Sequence, residues 1–165
     1  MTEDEKAAGD AADGHREKTK VTLDPSVIIS DVAFGSEGAK EAVRKSTTED
    51  MMMFTEVIYD ECMKFPDKRK NKTGITKEYM DKELKERFDE PIGMVLPPDE
   101  ELYEIYWVRD KNDYKILYSA HHTGSRILVT RDGDFFDPKL KVPEGLKIVE
   151  MYAYIGKEGP QKKNR

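Results

Sequence analysis

The chain has 165 residues, 38% of them charged and 37% hydrophobic, with a net charge of −6. That length suits one domain with a real core, and the acidic balance weighs against wholesale polyanion binding while leaving local basic patches open. No apolar stretch approaches the ~20 residues of a membrane span, no signal-peptide middle stands at the start, and the single Cys62 excludes an intrachain disulfide or a cysteine zinc site, so the expectation is a soluble, cytoplasmic protein.

Residues 1–19 are rich in Ala, Gly, Asp, Glu and Lys without apolar periodicity and read as a disordered acidic arm. The expected domain spans residues 20–155, and residues 156–165 form a polar tail. It opens on the β-like run Lys20-Val21-Thr22-Leu23-Asp24, followed by Pro25, a residue suited to a first helical turn. Val27, Ile28, Ile29, Val32, Ala33 and Phe34 supply that helix's apolar face. After the break at residues 35–38, a second helix is expected from Ala39 to about Lys45, with Ala42 and Val43 inward. Met51-Met52-Met53-Phe54 is short enough to be a buried strand, Thr55 is a plausible N-cap, and residues 56–65 read as a helix carrying Glu61 near its apolar stripe.

Beyond Pro66 lies the most basic segment, Lys68-Arg69-Lys70-Asn71-Lys72. A helix over residues 76–88 follows, with Tyr79, Met80, Leu84 and Phe88 spaced for one face. Pro91, Pro97 and Pro98 punctuate the next connection, Asp99 caps a short helix through Leu102 and Ile105, and Trp107-Val108 reads as a brief strand. Asp110 and Asp113 then open a helix that breaks at His121-His122-Thr123-Gly124. The run Ile127-Leu128-Val129 is a short buried strand, and Asp132 and Asp134 stand just past its carboxyl end, where open α/β sheets place their ligands. Weak alternation over residues 146–155 suggests a final strand or hairpin arm. There is no internal repeat and no glycine-rich phosphate loop.

The alternation of β and α segments predicts an α/β fold, a three-layer α/β/α sandwich around a mostly parallel sheet. In such a sheet the carboxyl ends of the strands share one edge, so Asp24, Glu61, Asp113 and Asp132 can converge although distant in sequence. Clustered carboxylates repel, and a hard divalent cation such as Mg²⁺ or Mn²⁺ keeps them ionised. Taken singly, Asp24, Asp113 and Asp132 also read as helix caps and turn formers, and Glu61 as a solvated helix acid. His121 and His122 fit carbonyls at a helix end, Tyr103, Tyr106 and Trp107 fit either packing or base stacking, and the lysine-rich run fits a solvated loop as well as an RNA contact.

On Leu23-Asp24-Pro25-Ser26-Val27, Thr55-Glu56-Val57-Ile58-Tyr59-Asp60-Glu61, Asp110-Lys111-Asn112-Asp113 with Ile116, Leu117 and Ala120, and Leu128-Val129-Thr130-Arg131-Asp132-Gly133-Asp134-Phe135, the chain resembles the PIN-domain metal-dependent ribonucleases, VapC-like toxins among them. The resemblance covers about residues 21–136 and implies catalytic, metal-binding acids at Asp24, Glu61, Asp113 and Asp132. It implies an auxiliary metal acid at Asp134, and supporting hydroxyls at Ser26 and Thr130. Asp31 competes with Asp24 for the first acid, since Val27-Ile28-Ile29-Ser30-Asp31 also resembles a strand ending in Asp; the Pro-Ser after Asp24 favours the latter.

The implied chemistry is hydrolysis of RNA phosphodiester bonds by a metal-activated water. Lys68, Arg69, Lys70, Lys72 and Arg131 are the candidates for phosphate contact, in which case activity falls steeply with salt. Family members are often homodimers, and many are toxins held by an antitoxin protein. The acidic arm and the insertion over residues 68–98 depart from the compact toxin form. Two other readings stay open: a non-catalytic PIN-like module that binds RNA or a protein, and a metal-dependent hydrolase of small phosphoesters.

Overall fold

The computed structural model describes residues 17–68, 72–106 and 111–157. Most of the acidic arm, Arg69, Lys70, Trp107, Val108, Asp110 and all but the first residues of the polar tail therefore lie outside the described residues. Strand β1 (Lys20–Leu23) runs into helix α1 (Pro25–Val32), then α2 (Glu37–Thr48), β2 (Met51–Met52) and α3 (Glu56–Met63). A 3-10 turn at Phe65–Asp67 leads through the basic segment to α4 (Lys77–Arg87), α5 (Asp99–Tyr106), α6 (Lys111–His122) and β3 (Ile127–Thr130). A second 3-10 turn, Gly133–Phe136, precedes β4 (Lys147–Glu150) and the short α7 (Met151–Tyr154).

The four strands are all parallel, in the order β2-β1-β3-β4, and helices flank the sheet. Thr22 pairs with Leu128 and Leu23 with Val129, so β1 and β3 deliver Asp24 and Thr130 to the same edge. Val21, Leu23, Leu128 and Val129 are fully buried, as central parallel strands covered on both faces require. Val27 and Ile28 of α1, Val57 and Ile58 of α3, and Leu117 and Ala120 of α6 pack on them in one core cluster. Each fully buried Leu or Ile contributes ~1.5–3 kcal/mol.

Side-chain caps fix where the helices begin. Asp24, Ser36, Thr55 and Thr76 each accept an N–H of the first turn. Two helix ends need correction. The apolar face of α1 does not extend to Phe34, because the helix ends at Val32 and leaves Phe34 65% exposed, touching Phe65 edge-on. Helix α3 ends at Met63 rather than residue 65, its last turn tightening into the 3-10 turn that contains Pro66. Of the two alternatives for residues 146–155, the strand is the one formed: β4 adds in parallel beside β3, and Glu150 then caps α7 by accepting the Tyr152 N–H at 2.8 Å. Among the described residues, no helix is long and apolar enough to cross a membrane.

Candidate metal centre

Asp24 is the first residue beyond β1, and its N–H still bonds Val129 O at 2.8 Å, so the ladder holds its backbone in place. Its side chain is 5% exposed. Oδ2 accepts from the Ser26 hydroxyl, from the Ser26 N–H at 3.3 Å and from Thr130 Oγ1 at 3.0 Å. Burial pushes this carboxyl up to about 6; the bonds from Ser26 and Thr130 oppose the rise, and the charge of Asp132 adds to it.

Two hydroxyls tie the neighbouring acids together. Thr130 Oγ1, buried at the end of β3, donates to Asp24 and accepts the Asp132 N–H at 2.8 Å. Ser26 Oγ donates to Asp24 and accepts the Arg131 N–H at 3.1 Å. The chain turns immediately afterwards: Asp132 Oδ1 accepts the Asp134 N–H at 2.9 Å and caps the 3-10 turn, which brings Asp134 back beside Asp132.

From the other side, the first turn of α6 delivers Asp113, 7% exposed. Carboxylate oxygens of Asp113, Asp132 and Asp134 all lie within 4.8 Å of one another. Among the described residues, no lysine or arginine pairs with Asp24, Asp132 or Asp134, whereas Asp31, the competitor for the first acid, binds Arg87 Nε at 2.7 Å and Lys40 Nζ at 3.6 Å. Asp31 is thus a structural ion-pair member.

Glu61 stands apart from the three-acid group. Its carboxylate binds Lys64 Nζ at 2.6 Å, one turn on in α3. It is still close enough that, after burial and Asp24, its charge helps push up the Cys62 thiol. Lys64 was not singled out by sequence reading, although the i, i+3 spacing from Glu61 is the signal that finds it. Ser30 was missed as well; its Oγ accepts from Arg131 Nη1 at 2.9 Å and holds that exposed guanidinium against α1. Lys68 and Lys72 are exposed, and Arg69 and Lys70, the other expected phosphate contacts of that segment, lie outside the described residues.

His121 and His122 take no part in the acidic cluster: Tyr106 Oη lies 3.1 Å from His121 Nδ1, and the His122 ring stacks on Tyr118 at 4.0 Å. Tyr106 is 2% exposed, which fits packing and leaves no face for a base.

The donor set matches a hard divalent cation. It is all oxygen, gathers three carboxylates within 4.8 Å of one another, and has a hydrogen bond from the Asp134 N–H that orients the Asp132 carboxylate.

No protein-family model and no curated protein matches the sequence. Among solved structures, the chain is similar to VapBC2 from Rickettsia felis, crystallised bound to a DNA fragment from its promoter: the superposition covers 80% of this chain and 98% of that one, with a TM-score of 0.58 and 13% identity. At that identity the likeness is one of architecture, and it extends over nearly the whole of the other chain: this protein has the fold of a VapC-like PIN domain.

Proposed function

We propose that the protein is a Mg²⁺- or Mn²⁺-dependent endoribonuclease. One observation carries the reading: Asp113, Asp132 and Asp134, from two distant parts of the chain, meet within 4.8 Å at the carboxyl edge of a parallel sheet, with buried Asp24 tied to the same turn through Thr130. Carboxylates this close repel one another, and a divalent cation removes that penalty. Asp113, Asp132 and Asp134 would hold the cation, with Asp24 and Glu61 as the further acids of the site. A divalent cation bound there supplies Lewis acidity toward a phosphate and lowers the pKa of water.

The chain's own residues have separable tasks. Thr130 and Ser26 fix Oδ2 of Asp24, which leaves Oδ1 as the acceptor for a proton from water. Arg131, steadied by Ser30, and the lysines at positions 68 and 72 with Arg69 and Lys70 are the cations available to an RNA backbone. The similar solved structure belongs to an assembly named VapBC2, so an antitoxin-like partner and a toxin role are part of this proposal, as is a second copy of the chain.

The non-catalytic reading draws on a different observation, the Glu61–Lys64 pair, which ties one of the expected acids to a lysine. Calorimetric titration with Mn²⁺ separates the two. The endoribonuclease reading expects Mn²⁺ binding by the wild type, loss of binding in Asp113→Asn combined with Asp132→Asn, and RNA cleavage that stops in EDTA. Absence of Mn²⁺ binding by the folded wild type overturns it.

A further inference from the structure

Just past β2, at the cap of α3, the chain makes one further parallel bridge outside the four strands. Ile92 makes a single parallel bridge with Thr55: its N–H bonds Phe54 O at 2.8 Å and its C=O accepts the Glu56 N–H at 2.9 Å. The chain then continues as Gly93-Met94-Val95-Leu96 without joining a further strand. Met94 and Leu96 lean on the core, whereas Val95 between them is 91% exposed.

Because the polar groups of Ile92 point at Phe54 and Glu56 and the Met94 N–H reaches the Glu56 carboxylate at 3.4 Å, the alternate residues Gly93 and Val95 turn their N–H and C=O away from that neighbour. Among the described residues, no backbone hydrogen bond reaches either of them. An edge of this kind is a template for another strand. Pro91 and Pro97, which have no N–H to offer, bound it on both sides and limit it to a short ladder.

Charge decides the occupant. Residues 92–98 contain no charged side chain. On one flank, Glu56, Asp60, Asp89 and Glu90 line a groove of about 760 Å³ that holds Lys85 as its one cation and has Phe54, Leu84 and Phe88 as its apolar lining. On the other flank, α5 opens with the exposed acids Asp99, Glu100 and Glu101. A second copy would bring acid against acid at both ends of the ladder, and a nucleic acid would bring phosphates. We propose that this edge receives an extended peptide segment of a partner protein, apolar and β-branched in its middle and basic at both ends, as an added strand against residues 92–96. The proposal is independent of the metal centre, and its test involves no cleavage.

The test is fluorescence anisotropy of the full chain with a labelled peptide, Lys-Lys-Val-Thr-Val-Thr-Val-Lys-Lys, beside the same peptide with Glu at every Lys. The basic peptide should bind at least ~10-fold more tightly at low salt, with the margin shrinking as salt screens the flanking acids. Val95→Pro removes the outward N–H and should weaken binding by ~10-fold or more with the circular dichroism spectrum unchanged. Should that variant fail to fold, Val95→Lys keeps the backbone, sets a like charge against the basic peptide and should weaken binding likewise. Equal binding of the two peptides overturns the proposal, as does undiminished binding by a folded Val95 variant. A concentration-dependent dimer in sedimentation that Val95→Lys dissolves also overturns it, since the occupant is then a second copy.

Discussion

Asp24→Asn should make the cation-free protein more stable at neutral pH. The carboxyl, ordinarily at 3.8, is lifted to about 6, chiefly by burial. A lifted acid favours the protonated folded state, so stability is greatest below 3.8, falls as pH rises between 3.8 and about 6, and stays reduced above that. Ionising this one group at pH ~7.5 therefore costs ~3 kcal/mol, at ~1.4 kcal/mol per pH unit between the two values. Asparagine is an equally good N-cap and still accepts from Ser26 and Thr130, but it carries no charge, so most of that cost should be recovered. Urea unfolding in EDTA should show Asp24→Asn more stable by ~2–3 kcal/mol at pH ~7.5, a rise of about 5–10 °C in Tm, with the gap nearly closed at pH ~4. Added Mn²⁺ should then stabilise the wild type more than the variant. A variant less stable than the wild type at neutral pH, or a gap that is the same at both pH values, would refute the claim that this carboxylate is buried against its own preference.

Thr130→Val keeps shape but strips the hydroxyl that serves Asp24 and the Asp132 N–H together, so unfolding free energy should drop by ~1–3 kcal/mol and the Asp24 carboxyl should titrate higher still, followed by carboxyl NMR. Arg87→Met leaves the 4%-exposed Asp31 facing only Lys40 and should cost ~3–5 kcal/mol in urea unfolding; adding Asp31→Leu should recover most of the loss, and no recovery would mean that packing by Arg87, not charge, is what matters.

The part of the fold most legible in the sequence is the α6–β3 unit, because Ile127-Leu128-Val129 is an apolar, mostly β-branched run too short for a helix and bounded by turn residues, as a strand buried on both faces is. Thr55 was readable as a cap because a short hydroxyl residue before an apolar stripe has few other uses. What escaped notice depends on contacts between distant elements. Helix α7 forms where Met151 and Tyr152 press on Gly38, whose absent Cβ would lie 2.9 Å from both side chains, and nothing in the weak alternation of residues 146–155 encodes that fit. Phe34 continued an apolar pattern past the point where the helix stops. The full place of Asp134 in the acidic cluster comes from the turn that Asp132 closes on its N–H, a local bond whose consequence is tertiary. The reverse holds for Glu61, whose position in α3 suggested a ligand but whose nearest partner is a lysine three residues on.

Two buried aspartates on one helix show why the acidic edge differs from ordinary structure. Asp31, in the last turn of α1, is 4% exposed, and the fold answers it with Arg87 and Lys40. Asp24, the cap of the same helix, is 5% exposed and receives two hydroxyls and an amide, none of which carries charge. This chain can supply a cation to a buried acid and does so seven residues away, so chance composition does not explain its absence at Asp24. Hydroxyls orient a carboxylate without neutralising it, and the charge of Asp132 beside Asp24 adds to the cost of that choice. A stable fold gains nothing from that cost. A site that must draw a divalent cation from solution does, because each neutralising lysine would weaken the attraction that holds the ion.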